Sequence, residues 1–184
     1  MKEEKDSLYY DNVYKKSKHY SLNVTANNTI YRELYFFVKN LLSKEENILE
    51  IGCGTGQFAE MLIKENYKYI LGIDFSSEAI CVCNKRCKTN LFVCENIYSF
   101  NFDIINFETA FALEVFEHIE KDLEVLNKFP KDKRIIFSVP SYDDIAHVRF
   151  FKNKDEVINR FEFLFSEFEI YEIGKIFVVN AKKK

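Results

Sequence analysis

The stretch EVFEHI (114–119) carries Glu114, Glu117 and His118 at i, i+3 and i+4. In a helix that spacing brings all three to one side, where two carboxylates and an imidazole suit proton transfer or a divalent cation. A second histidine, His147, stands in SVPSYDDIAHVRFF (138–151) beside Tyr142, Asp143, Asp144 and Arg149, a loop from which we expect contacts to an acceptor molecule. His118 and His147 are the candidates for taking a proton, because imidazole changes charge near neutral pH. No metal ligand is assigned. Cys81, Cys83 and Cys87 lack the paired spacing of a zinc site, and five cysteines, an odd number mostly within apolar segments, read as buried reduced thiols.

LEIGCGTGQF (49–58) sets Gly52, Gly54 and Gly56 behind a short apolar run. Glycines in such a turn admit positive φ and let a ligand approach the backbone. A dinucleotide fingerprint would need glycine at position 57, where Gln57 stands, and no Lys-Ser or Lys-Thr follows to make a phosphate loop. Asp74 closes the next apolar run, 22 residues past Gly52, where a carboxylate can accept both hydroxyls of a ribose; the competing role is capping the helix that opens near Ser76. Glu95, Asn96 and Ile97 close the third run, and an Asn oxygen can accept from an adenine amino group. The ligand this pattern suits is a nucleoside without phosphates.

Runs at 47–53, 69–75, 91–96, 109–115 and 134–140 are short, apolar and rich in β-branched and aromatic residues, as buried parallel strands require. Helical patterns separate them: GQFAEMLIKEN, SSEAICVCNKRC and KDLEVLNKF. This cadence predicts βαβ units and an open α/β sheet with helices on both faces. KDEVINRFEFLF reads as one more helix, and only Gly174 and Lys175 part FEIYEI from IFVVNA, which is hairpin spacing and makes the last strand antiparallel. The length of 184 residues fits a single domain, with residues 1–45 as an added helical segment or lid and 46–184 as the core. Tyr14 and Tyr20 of the leading segment are candidates to cover the ligand. A net charge of -3 offers no overall field for nucleic acid, and no apolar run approaches the ~20 residues that span a bilayer. We expect a cytoplasmic protein without membrane contact.

ILEIGCGTGQF, LGIDFS, VCENI and ALEVFEHI, in that order, resemble successive motifs of the class I S-adenosylmethionine-dependent methyltransferases, over residues 47–140. The resemblance implies a Rossmann-like seven-stranded sheet of order 3-2-1-4-5-7-6 and S-adenosylmethionine as cofactor. It implies Glu50, Gly52, Gly54 and Gly56 around the methionine part, Asp74 on the ribose, Phe75 against the adenine and Asn96 on its amino group, where the family usually has Asp; Ile97 and Glu114 complete the expected cofactor set. The pattern E-x-x-E-H is also similar to that of ubiquinone-pathway O-methyltransferases and small-RNA 2′-O-methyltransferases, in which it is associated with a metal ion, with His147 resembling a distant fourth ligand. The expected activity is methyl transfer to oxygen or nitrogen of a small-molecule acceptor. RNA or protein methylation and a non-catalytic cofactor-binding subunit are the alternatives.

Overall fold

The computed structural model describes residues 2–16 and 29–184. Among the described residues, two helices precede the sheet, α1 (Ser7–Lys16) and α2 (Thr29–Leu41). Then follow β1 (Ile48–Ile51), α3 (Gln57–Lys64), β2 (Tyr69–Asp74), α4 (Ser77–Cys87), β3 (Phe92–Cys94), β4 (Thr109–Ala112), α5 (Asp122–Asn127) and β5 (Arg134–Pro140). The chain closes with α6 (Lys154–Phe161), β6 (Phe165–Ile173) and β7 (Ile176–Lys183). The seven strands form one sheet in the order β3-β2-β1-β4-β5-β7-β6, as expected. β7 alone is reversed, lying antiparallel between β5 and the edge strand β6, with Gly174 and Lys175 at the hairpin turn.

The period-two alternation of strand side chains divides the core between two layers. Leu49, Ile51, Ile135, Phe137, Phe177 and Val179 face one side, where they meet Val125 and Leu126 of α5 and Val157 and Phe161 of α6. Ile48, Phe111, Ile136, Ile176 and Val178 face the other, against Leu34 and Val38 of α2, Phe58 and Leu62 of α3 and Ile80 of α4. Strands buried on both faces need the unbroken apolar runs seen in the sequence. Glu50 shares the parity of Ile48, so a carboxylate is delivered into an otherwise apolar layer.

Two local expectations change. The run 109–115 pairs only as far as Ala112, and residues 113–120 form turns, not a helix, with Glu114 in the left-handed region at φ 55. Cys53 and Cys83 are buried free thiols as anticipated, whereas Cys81 and Cys94 are exposed. α4 places its residues alternately in and out, so sequence position inside an apolar stretch does not decide which thiol faces the core.

Candidate functional site

The C-terminal ends of β1, β2, β4 and β5 open into a cavity of about 370 Å³, at the position where open α/β sheets bind ligands. Its floor is the turn after β1. Gly52, Gly54 and Gly56 adopt φ of 68°, 51° and 75°, and a Cβ on Gly52 would come within 2.4 Å of Val115. Four amides of this turn, those of Gly52, Cys53, Gly54 and Gly56, are spent inside the protein. Gly52 N and Cys53 N donate to Ile73 O at 2.8 and 3.0 Å, Gly56 N to Cys53 O at 2.9 Å, and Gly54 N to Asp74 Oδ2 at 2.9 Å. A turn whose donors already face protein acceptors does not present the fan of amides that a pyrophosphate needs.

Gly52 and Gly54 line the cavity, together with Glu50, Asp74, Phe75, Asn96, Ile97 and Glu114. Gly56 is absent from the lining and instead starts α3 against the sulfurs of Cys83 and Cys87, so its role is conformational. Asp74 spends both carboxylate oxygens on backbone amides and does not itself cap α4. One oxygen ties down Gly54 N and the other accepts from Ser76 N at 2.9 Å, while the α4 cap itself is Ser76, whose hydroxyl accepts from Ala79 N. Each carboxylate oxygen retains a lone pair for a ligand hydroxyl. Burial raises the Asp74 carboxyl to about 6 and that of Glu50, which accepts a hydrogen bond from Tyr69 Oη, to about 8. These acids sit nearly dry and await donors or a cation.

The far wall holds both histidines. His118 Nδ1 lies 3.1 Å from Ala146 O and His147 Nδ1 lies 3.2 Å from Tyr142 O. A carbonyl only accepts, so each neutral ring carries its proton on Nδ1 and leaves the Nε2 lone pair free. Burial lowers both imidazoles, His118 to about 4, which keeps them neutral at pH 7. Glu117 stands behind them, fully buried, with neither carboxylate oxygen reached by a hydrogen-bond donor among the described residues. Its nearest polar neighbours include His118 Nε2 at 3.8 Å and the Glu114 carboxyl, and burial followed by the charge of Glu114 holds it far above the usual carboxylate range. Glu114 is also pushed up by burial, against a hydrogen bond from Ser138 Oγ at 2.8 Å. Glu117, His118 and His147 bring one ligand atom each within 4.8 Å of one another. The trio is assembled by turns, not by the helical spacing that first drew attention to it.

Tyr142, Asp144 and His147 of the loop after β5 line the cavity, but Arg149 and Asp143 do not. Arg149 turns towards backbone carbonyls and Asp122, and Asp143 pairs with Lys2. The roof is α1. Tyr10 packs on Phe75 and His118 with ring centroids at 5.3 and 5.8 Å, and Tyr14 Oη comes within 3.3 Å of where a Gly54 Cβ would sit. Asp11 anchors the helix, accepting from Ser76 Oγ, from Ser77 Oγ and from Glu78 N. Asp11 was not legible as a site residue, since a lone acid in a polar segment carries no periodic signal. Tyr20 lies outside the described residues.

Residues 48–130 match the model of a methyltransferase domain. A ribosomal protein L11 methyltransferase from Thermotoga neapolitana is 31% identical over 55 residues, which is 30% of this chain and 21% of that protein, so the match spans about a fifth of the relative's length. Among solved structures, the N-methyltransferase NodS from Bradyrhizobium japonicum WM9, in complex with S-adenosyl-L-homocysteine, is similar with a TM-score of 0.73 at 18% identity, over 96% of this chain and 97% of that one. A TehB-like methyltransferase from Corynebacterium glutamicum gives 0.70 at 15% identity, over 97% and 100%. The observed sheet order agrees with the fold that the resemblance implied, and the family model covers residues 48–130 of the chain.

Proposed function

We propose that this chain, whose residues 48–130 match the model of a methyltransferase domain, binds S-adenosylmethionine and transfers its methyl group to oxygen or nitrogen of a small-molecule acceptor. The observation that carries the reading is a glycine turn with four of its amides already used, beside a buried acid closing the next strand. That combination suits an adenosine compound and rejects a pyrophosphate. When bound, S-adenosylmethionine supplies an electrophilic methyl group on a sulfonium centre. Asp74 would take the ribose hydroxyls, Phe75, Asn96 and Ile97 the adenine, and Glu50 with the turn the amino-acid part. Displacement at the methyl carbon needs alignment and exclusion of water above all, and the roof formed by Tyr10 and Tyr14 serves both as a lid. His118 and His147, neutral with free Nε2 lone pairs, are the groups available to polarise or receive an acceptor proton.

A small acceptor is favoured over nucleic acid because, among the described residues, the cavity lining sets the acids Glu4, Glu95 and Asp144, besides the buried carboxyls of Glu50, Asp74 and Glu114, against the one cation Lys5. No helix among the described residues is long and apolar enough to cross a membrane. Calorimetric titration with S-adenosyl-L-homocysteine and with a nicotinamide dinucleotide tests the reading: binding of the first and not the second is expected, and the reverse overturns it.

One observation favours a second reading, in which the two imidazoles hold a cation and do not take the proton. A buried carboxyl is costly to ionise unless a cation lies beside it, and Glu117, His118 and His147 form a fitting donor set of one hard oxygen and two imidazoles. They would hold a divalent cation, whose chemistry there is to polarise an acceptor oxygen. Mn²⁺ binding followed by electron paramagnetic resonance should be present in the wild type and lost in Glu117→Gln.

A further inference from the structure

Neither turn that builds the far wall has regular secondary structure to hold it. Residues 113–120 and 142–149 are both irregular, yet Glu117, His118 and His147 meet across them. Besides the His118 contact with Ala146 O, the side chain of Arg149 spans the gap. Arg149 Nη1 donates to Phe116 O at 2.6 Å and to Ile119 O, and Nη2 donates to Glu120 O at 2.9 Å. The same guanidinium lies 3.2 Å from the buried carboxylate of Asp122, at the start of α5, which Arg160 of α6 grips through two nitrogens at 2.6 and 2.8 Å. The backbone completes the lacing: Val148 N and Arg149 N both donate to Glu117 O, at 2.8 and 3.3 Å. Ala146, whose carbonyl orients the His118 ring, is held between these points.

We propose that Arg149, anchored by Asp122 and Arg160, is the positioning residue that locks the two turns together and thereby sets the tautomer and aim of His118. It acts through the backbone and does not face the cavity, so it is not a catalytic residue. A planar fork is needed because three carbonyls and a carboxylate must be met at once, which an ammonium on a flexible stem does not do. The inference rests on the functional reading for its importance to methyl transfer, but its geometry stands apart from it.

The test uses the full chain without acceptor. Imidazole ¹⁵N spectra at pH 7.5 should show His118 and His147 of the wild type as Nδ1–H tautomers. In Arg149→Lys, circular dichroism should stay folded and S-adenosyl-L-homocysteine affinity within about threefold, since the glycine turn and Asp74 are untouched. The His118 signals should move to a mixed tautomer pattern, and exchange of the Val148 amide should be about tenfold faster. An unchanged His118 pattern overturns the proposal, as does a loss of cofactor affinity in proportion to the tautomer change, which would mark general disruption. Should Arg149→Lys fail to fold, Asp122→Asn, which keeps the side-chain shape and loosens the anchor, is read in the same way, and an unaltered pattern there overturns it. A wild type that bound no S-adenosylmethionine or S-adenosyl-L-homocysteine would defeat the functional reading while leaving the His118 signal to decide this one.

Discussion

Burial is what makes individual residues of this site informative. Asp74 and Glu50 are carboxyls raised to about 6 and about 8 because the sheet excludes water from them, and their ionised forms gain most from a ligand that brings hydroxyls or an ammonium. Asp74→Ala should weaken S-adenosyl-L-homocysteine by about 1–3 kcal/mol through the loss of charge-assisted hydrogen bonds; calorimetry reading no change would refute the ribose assignment. Adenosine, lacking the amino-acid part, isolates the same carboxyl. If the ionised Asp74 is the form that binds, affinity for adenosine falls as pH drops through about 6, by up to about tenfold per unit, and levels off above it. A flat profile between pH 5 and 7 would show that Asp74 serves only Gly54 and Ser76.

At the level of elements, the turn after β1 and the roof helix decide whether the cavity exists. Gly56 combines φ of 75° with a sulfur contact: its Cβ would lie 2.3 Å from Cys83 Sγ on α4. Gly56→Ala should therefore cost about 2–4 kcal/mol, the sum of left-handed strain and overpacking, read as a lower denaturant midpoint. Gly174, at φ +60 with nothing within 4 Å of its would-be Cβ, serves as the control, and Gly174→Ala should lose only about 1 kcal/mol. α1 has no buried residues of its own, so its seat depends on polar anchors, with Asp11 capping α4 and Lys2 pairing with Asp143. Asp11→Ala should speed dissociation of S-adenosyl-L-homocysteine in stopped flow by about tenfold while leaving the melting temperature of the free protein within a few degrees. An unaltered off-rate would show that α1 is packing and not a lid.

For the molecule as a whole, ligand and fold share one free energy. A ligand at 100 times its dissociation constant adds about 2.7 kcal/mol to the folded state, which for a chain of this size raises the melting temperature by about 5–10 °C. S-adenosyl-L-homocysteine should produce that shift in a thermal melt and a nicotinamide dinucleotide should not. The acidic lining and the net charge of -3 also bear on the acceptor, because they repel anionic substrates across the whole mouth of the cavity.

The amino-acid sequence alone determined the architecture: apolar runs at βαβ cadence, three glycines at one turn, an acid ending the second strand and a two-residue hairpin near the end each act through local backbone preference and burial, which leave a mark in residue order. Asp74 and Asn96 were legible as cavity-lining residues for the same reason, since they sit at strand ends whose place is set by that cadence, and Phe75, which the resemblance implied, lines the cavity beside them. Of the far wall, the sequence and the resemblance named the residues but not how they are held. Glu117 and His118 suggested a helix by their spacing, yet they meet His147 through turns held by Arg149, a residue expected from the sequence in a loop of acceptor contacts. Contacts between irregular segments depend on carbonyl directions and side-chain reach in three dimensions, and no periodicity records them; the tertiary structure alone decided that two imidazoles and a dry carboxylate share one corner of the cavity.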